Sequence, residues 1–400
     1  MTPGFLRSAV ILGLLSCVGP FAIDMYLPAL PKVATELDGT IAAAQMTITS
    51  YFIAFGVVQI FYGPLSDMYG RKPPLLVGLV LFIIGSLGCA FAPDVSWLIA
   101  ARFLQGLGGA AVMVIPRAII RDMHTGTQAT RLMALVMLVI SVSPMLAPLA
   151  GSGLIAISDW RLIFLVLAFV AVLSILMTLF LQPETLAPEH RVPVSLKAIG
   201  RGAKTLFTDP VFMGLTFVGG FGMASFFVFL ASASFVYTGF YGLTPVGFSL
   251  AFAINALGFF AASQFAAGLG ERFGLIPMLT WAVSGFLGAT LMLLALVLAG
   301  FDQLGVVILM LILANACLGL VIPTTMVMAL DDHGDIAGLA SSLGGMLQMF
   351  SGGLMVALVG PFFDGTPVPM VAAIAICAVI AFILMRLTIS ARLRTPVLPV

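Results

Sequence analysis

Twelve apolar stretches, each close to the length of a membrane span and parted by short polar breaks, run through this 400-residue chain and leave it few ways to fold. A helix rises 1.5 Å per residue, so about 20 apolar residues cross a hydrocarbon core of ~30 Å. The stretches fall at residues 6–30, 43–65, 75–92, 96–120, 131–156 and 161–181, then at 211–236, 245–268, 276–299, 304–328, 338–361 and 368–388. Lipid offers no partner to backbone N–H and C=O groups, so each stretch is expected to satisfy its own as an α-helix. The composition agrees: 61% of residues are apolar, 8% are charged and the mean hydropathy is +1.20. A soluble chain carries roughly a quarter charged residues. The first stretch lacks a small-residue cleavage site and contains Asp24, so it reads as a span and not as a secretory leader.

The longest polar interruption, Gln182 to Pro210, carries Glu184, Glu189, His190, Arg191, Lys197, Arg201 and Lys204 and divides the spans six and six. This predicts an N-terminal six-helix bundle over 1–181, a cytoplasmic linker over 182–210 and a C-terminal six-helix bundle over 211–400. With the N-terminus inside, fourteen of the seventeen basic residues, Arg7, Arg131, Arg392 and Arg394 among them, fall on one side. The positive-inside rule then places both termini in the cytoplasm. A faint repeat links the halves, since Gly63-Pro-Leu-Ser-Asp67-Met-Tyr-Gly70-Arg71 after span 2 is echoed by Gly268-Leu-Gly-Glu271-Arg272-Phe-Gly274 after span 8. Parallel repeats of this kind suggest two bundles that rock about a central site. Cys17, Cys89, Cys317 and Cys377 lie in apolar segments without metal-ligand spacing and read as packing residues. The net charge of +1 gives no footprint for nucleic acid.

Two charges sit where burial is costly, Asp24 in span 1 and Arg102 in span 4. Insertion scales put such a charge at ~2.5–3.5 kcal/mol, so it persists where it has a partner, a cavity or a task. A carboxyl beside a movable arginine is a workable proton carrier, because approach of the cation favours the anion and withdrawal favours the acid. The alternatives are a static ion pair between the two spans, or an arginine that snorkels to the outer interface.

The segment from Gly63 to Lys72 is too polar for the membrane and is expected to form a tight turn between spans 2 and 3, with its glycines permitting the turn and close helix approach. Asp67 and Arg71 are placed for an ion-pair latch; a plain solvated loop is the alternative. In span 5, Pro144, Pro148 and Gly151 predict a bent helix with a closely packed neighbour, for gating or for packing.

At these residues the chain resembles the major facilitator superfamily, and within it the twelve-span drug:proton antiporters of the Bcr/CflA type. Gly63 to Lys72 is similar to the loop signature of that superfamily, and Arg102-Phe-Leu-Gln105-Gly106-Leu-Gly108-Gly109-Ala110 to its span 4 signature. Pro144 to Gly151 resembles the antiporter motif, with Ala147-Pro148 in place of the usual Gly-Pro. Ala22-Ile-Asp24-Met-Tyr26-Leu-Pro28-Ala-Leu, Arg117-Ala-Ile-Ile-Arg121-Asp122 and Gly338 to Gly344 with Gln348 narrow the likeness to the subfamily. The resemblance implies that Asp24 is the proton-linked acid, Arg102 its coupling partner, and Gly63, Asp67, Gly70 and Arg71 the conformational latch. Some related exporters carry a second acid where this chain has Ser16, so coupling would rest on Asp24 alone.

The resemblance further implies a bacterial inner-membrane exporter of small, largely apolar drugs or toxic compounds, needing no cofactor beyond the proton-motive force and acting as a monomer. A proton symporter importing a metabolite and a transport-inactive sensor are the competing readings. No metal cluster or nucleophile–base pair falls within the spans, where His124, His190 and His333 are absent, so an enzyme is not expected. Tyr26, Tyr51, Gln105, Phe227, Asn255, Asn315 and Gln348 are the candidate substrate contacts, and each polar one among them also suits an interhelical hydrogen bond.

Overall fold

The computed structural model describes residues 3–123, 126–191 and 196–394; His124 and the side chains of Arg392 and Arg394 lie outside them. The described chain is all-helical. The first crossing is shared by α1 (Pro3–Asp24) and α2 (Leu30–Glu36), joined through a short 3-10 turn at Leu27–Ala29. Then follow α3 (Ile41–Tyr69), α4 (Lys72–Ala90), α5 (Val95–Met123), α6 (Gly126–Ile157) and α7 (Arg161–Phe180). The amphipathic α8 (Leu196–Thr208) leads into α9 (Pro210–Ser234), α10 (Pro245–Phe273), α11 (Leu275–Leu298), α12 (Leu304–Leu330), α13 (Ala337–Val359) and α14 (Pro367–Arg394). Among the described residues, eleven continuous helical segments are long and apolar enough to span a membrane, and one of them, Leu304–Phe362, contains both α12 and α13. Twelve crossings result.

The first crossing departs from the expected single helix over 6–30. It runs from Arg7 to Glu36 and breaks directly after Asp24. Pro20 lies inside α1 without ending it, but Pro28 and Pro31 remove two backbone donors within one turn, and the ring of Pro28 opposes the carbonyl of Asp24. The segment 63–69 also differs from expectation, since it forms the last two turns of α3 and only Gly70 and Arg71 make the bend. Gly70 carries it with φ of 93°, a conformation open to glycine. A Cβ on Gly63 would meet nothing within 4 Å, so that glycine serves neither turn nor close approach.

Contacts divide the chain into two compact units. One comprises Met1–Ser195 with Leu243–Ala253, the other Leu196–Gly242 with Ile254–Val400. In the first, α5 lies against the backbones of both α3 and α4. A Cβ on Gly106 would overlap the Tyr51 carbonyl, and one on Gly108 would overlap the Gly78 carbonyl and the Phe82 amide. Small residues at such seams let dispersion contacts replace the hydrophobic drive that lipid does not supply. In the second unit, α9 packs on α13 and α14, with the Phe227 ring filling the space above Gly352. The segment expected as a plain linker contains α8, whose Lys197, Arg201 and Lys204 recur at helical spacing.

Candidate functional site

Arg102 is completely buried on α5. Its Nη1 donates to the Ala22 carbonyl at 3.0 Å and to Gln105 Oε1 at 2.5 Å, while Nε donates to the Thr47 carbonyl at 3.4 Å. The guanidinium carbon stands 4.5 Å from the centre of the Tyr51 ring, 5.0 Å from Tyr26 and 5.7 Å from Phe164. A desolvated cation on an aromatic face gains up to ~2 kcal/mol per contact. Each wall of this cage is fixed in turn. The Tyr26 and Thr47 hydroxyls share a 3.0 Å hydrogen bond, the Tyr51 hydroxyl donates to the Gly19 carbonyl at 3.3 Å, and Gln105 Nε2 donates to Ser86 Oγ at 2.8 Å.

Tyr26, Tyr51 and Gln105, expected as substrate contacts, are thus brought together as the setting of the arginine. Complete burial keeps the guanidinium among protein groups in this conformation. Asp24, also buried, forms no ion pair with Arg102 among the described residues, so the static-pair reading does not describe this conformation. Tyr51 stands within the electrostatic reach of both groups. One guanidinium nitrogen, Nη2, is buried without a hydrogen-bond acceptor. A buried donor left unmade is costly, so Nη2 is the guanidinium atom most responsive to an arriving acceptor.

Beyond α3, Arg71 is held more tightly than the expected pair. Asp67 takes a hydrogen bond from Nη1, as does Ser66 Oγ at 2.8 Å, and Asp122 at the end of α5 accepts from Nε at 2.6 Å and from Nη2 at 3.1 Å. Burial works against the charge of Arg71, but its bonds to Asp122 and Asp67 outweigh this and raise its proton affinity above that of ordinary arginine. Thr185 adds a hydroxyl to Asp122 at 3.0 Å. Glu184 then caps α4: Oε1 accepts from the Arg71 amide at 2.9 Å and Oε2 from the Lys72 amide at 3.0 Å. Partial burial pushes the Glu184 carboxyl up, yet backbone donors at Lys72, Arg71, Leu186 and Thr185 hold it below its ordinary value. Asp122 and Glu184 were not expected as partners of Arg71; their acidic side chains near helix ends were the available signal.

In α6, Pro144 and Pro148 lie inside one continuous helix. Gly151 meets the break in the first crossing, where its Cα faces the Met25 carbonyl so closely that a Cβ would overlap it. Thus the proline-rich segment of α6 abuts the residue next to Asp24.

The other candidates lie in the second unit. Phe227 and Asn315 are buried on α9 and α12, and Asn255 on α10 faces the Tyr237 hydroxyl. Gln348 on α13 lines a cavity of about 40 Å³ with Thr216 and Thr325. That volume suits a water or two, since drug-sized pockets run to ~300–1,000 Å³.

The family model described as Major Facilitator Superfamily matches residues 12–356. The chain is 34% identical over 377 residues to the MFS-type transporter YdgK of Bacillus subtilis (strain 168), covering 94% of this chain and 93% of that protein. It is 31% identical over 372 residues to the bicyclomycin resistance protein homolog of Haemophilus influenzae (strain ATCC 51907 / DSM 11121 / KW20 / Rd), covering 92% and 93%. In fold it resembles the solved nucleoside transporter NupG, with a TM-score of 0.77 at 11% identity over 97% of this chain and 99% of the other. The twelve-crossing helical chain belongs to the Major Facilitator Superfamily and is a multi-pass membrane transporter of small molecules.

Proposed function

We propose that this transporter is a proton-coupled antiporter of the Bcr/CflA type that exports small, largely apolar compounds across the bacterial cytoplasmic membrane. The observation that carries the reading is the buried Arg102, which lies on neutral oxygens and aromatic rings, keeps one nitrogen without a protein acceptor and, among the described residues, forms no salt bridge with the buried Asp24. Such an arrangement suits a proton carrier. When Asp24 holds its proton, it adds no charge to the apolar surroundings; when it releases the proton, the spare donor of Arg102 offers the anion a partner. Movement of α1 at its break after Asp24 would connect the two states, and Gly151 against Met25 would pass that movement to α6. The bicyclomycin resistance name of the Haemophilus relative supports drug export as the direction.

Alternating access follows from two six-helix bundles, 1–181 and 211–400, joined by a cytoplasmic linker over 182–210 that includes α8, with both termini cytoplasmic. Asp67, Arg71, Asp122 and Glu184 serve as the latch at the cytoplasmic end of the first bundle. Vesicles of known orientation test the reading: an imposed proton gradient is expected to drive substrate against the direction of proton flow. Accumulation of substrate together with protons would instead establish symport.

A further inference from the structure

A cavity of about 720 Å³ opens in the side of the first unit between α1, α6 and α7. Its walls are almost wholly apolar, with Leu14 and Phe21 from α1, Leu138 and Leu146 from α6, and Val170 and Leu173 from α7. Leu14, Leu138 and Leu146 are 51%, 61% and 53% exposed, so the cavity is open along one side and is not sealed within the helices, and its exposed rim is apolar, as a lipid-facing side requires. Along α1 its wall extends from Leu14 to Met25, about 16 Å at 1.5 Å per residue. Water is a poor filling for it. A buried water needs two to four polar partners, whereas Ser174 is bonded to the Val170 carbonyl at 2.9 Å and Cys17 points to the Val139 carbonyl at 3.8 Å, leaving the Ser143 hydroxyl as the one unpartnered side-chain group among the described lining residues.

Both long walls end in the same charge. Arg7 precedes Leu14 by seven residues on α1, and Arg131 precedes Leu138 by seven on α6. Seven residues are nearly two full turns, so each arginine stands ~10 Å beyond the cavity on the face that lines it. Both are exposed. Arg7 Nη2 donates to the Leu181 carbonyl at 2.8 Å, which holds the cation over the end of α7, the third wall.

We propose that this cavity holds one acyl chain of an anionic glycerophospholipid whose phosphate is bound by Arg7 and Arg131. Length, polarity and charge agree on that occupant: a long apolar trough, open to the hydrocarbon, with two cations displaced from its mouth in one direction. An acyl chain gains little free energy by leaving bulk lipid for the trough beyond the dispersion contacts an unfilled space would forfeit. The headgroup therefore sets the selectivity, about fivefold for each arginine near the surface.

Native mass spectrometry of the full chain in detergent, titrated with phosphatidylglycerol or phosphatidylcholine of identical acyl chains, tests the assignment. One phosphatidylglycerol is expected to be retained, with a preference of about twentyfold or more over phosphatidylcholine. Arg7→Gln with Arg131→Gln should remove the preference, while the double lysine variant should keep most of it. Val142→Phe with Ala150→Phe, which fills the trough and leaves both arginines, should lower retention of both lipids. Equal preference in the double glutamine variant would overturn the proposal, as would undiminished retention in the filled one. Displacement by inorganic phosphate would reassign the arginines to a free anion, and displacement by an exported apolar compound would reassign the trough to substrate.

Discussion

Arg102 rests on the ring of Tyr51, with 4.5 Å between guanidinium carbon and ring centre, and no described carboxylate forms a salt bridge with it. A buried cation held by neutral groups alone responds sharply to any acceptor that arrives. Arg102→Ala is therefore expected to alter the pH dependence of substrate binding, whereas Arg102→Lys should restore it only in part, because an ammonium lacks the planar face that stacks on Tyr26 and Tyr51. Binding measured by tryptophan fluorescence across pH 5 to 9 checks this; an unchanged profile in the alanine variant would assign Arg102 to packing.

Asp24→Asn preserves volume and hydrogen-bonding capacity while removing the titratable proton. Gradient-driven transport in oriented vesicles is expected to vanish, with membrane insertion and yield close to those of the parent. Full proton-coupled activity in this variant would take Asp24 out of the carrier role.

Gly151→Ala and Gly63→Ala form a matched pair. A methyl at 151 would overlap the Met25 carbonyl, a backbone atom that moves only if the first crossing shifts, whereas a methyl at 63 meets open space. Transport is expected to fall by about fivefold or more in the former, on the order of 1–3 kcal/mol of overpacking, and to remain near parental in the latter. Uptake rates normalised to protein in the membrane decide it.

Arg71 ranks its two acids by burial. The Asp122 side chain is 16% exposed and Asp67 is 49% exposed, so solvent screens the second pair more. Asp122→Asn should lower the thermal midpoint in detergent more than Asp67→Asn. The reverse order would mean that the pair within α3, and not the tie to α5, secures the turn.

Glu184 gives a pH dependence of defined sign. Its carboxyl is held below its ordinary value, so its contribution is complete above about pH 4.3 and fades as pH falls through the lower folded value. Glu184→Gln should lower the thermal midpoint at pH 7, and the difference between parent and variant should shrink towards pH 3. A gap independent of pH would mean that the side chain acts through shape alone.

Much of the architecture was legible in the sequence because lipid demands one thing of every crossing, a run of apolar residues long enough to span it. Gly70 was legible as well, since a sharp bend between two helices selects for glycine. Three features were not. The break after Asp24 depends on Pro28 and Pro31 acting together, although Pro20 stands within α1 without breaking it. The cage around Arg102 draws on the Ala22 and Thr47 carbonyls, and a backbone oxygen carries no residue signature. Asp122 and Glu184 reach Arg71 across 51 and 113 residues of chain, a separation over which no periodicity survives.

The seam of α5 against α3 and α4 has a practical consequence for following the transport cycle. Where Gly106 and Gly108 touch the neighbouring backbones, there is no intervening layer of side chains in which those helices slide past one another. Spin labels at the exposed Phe61 of α3 and Val77 of α4 would therefore form an internal ruler. Their separation should hold constant across pH and substrate, a fixed length against which any moving pair elsewhere in the protein can be calibrated.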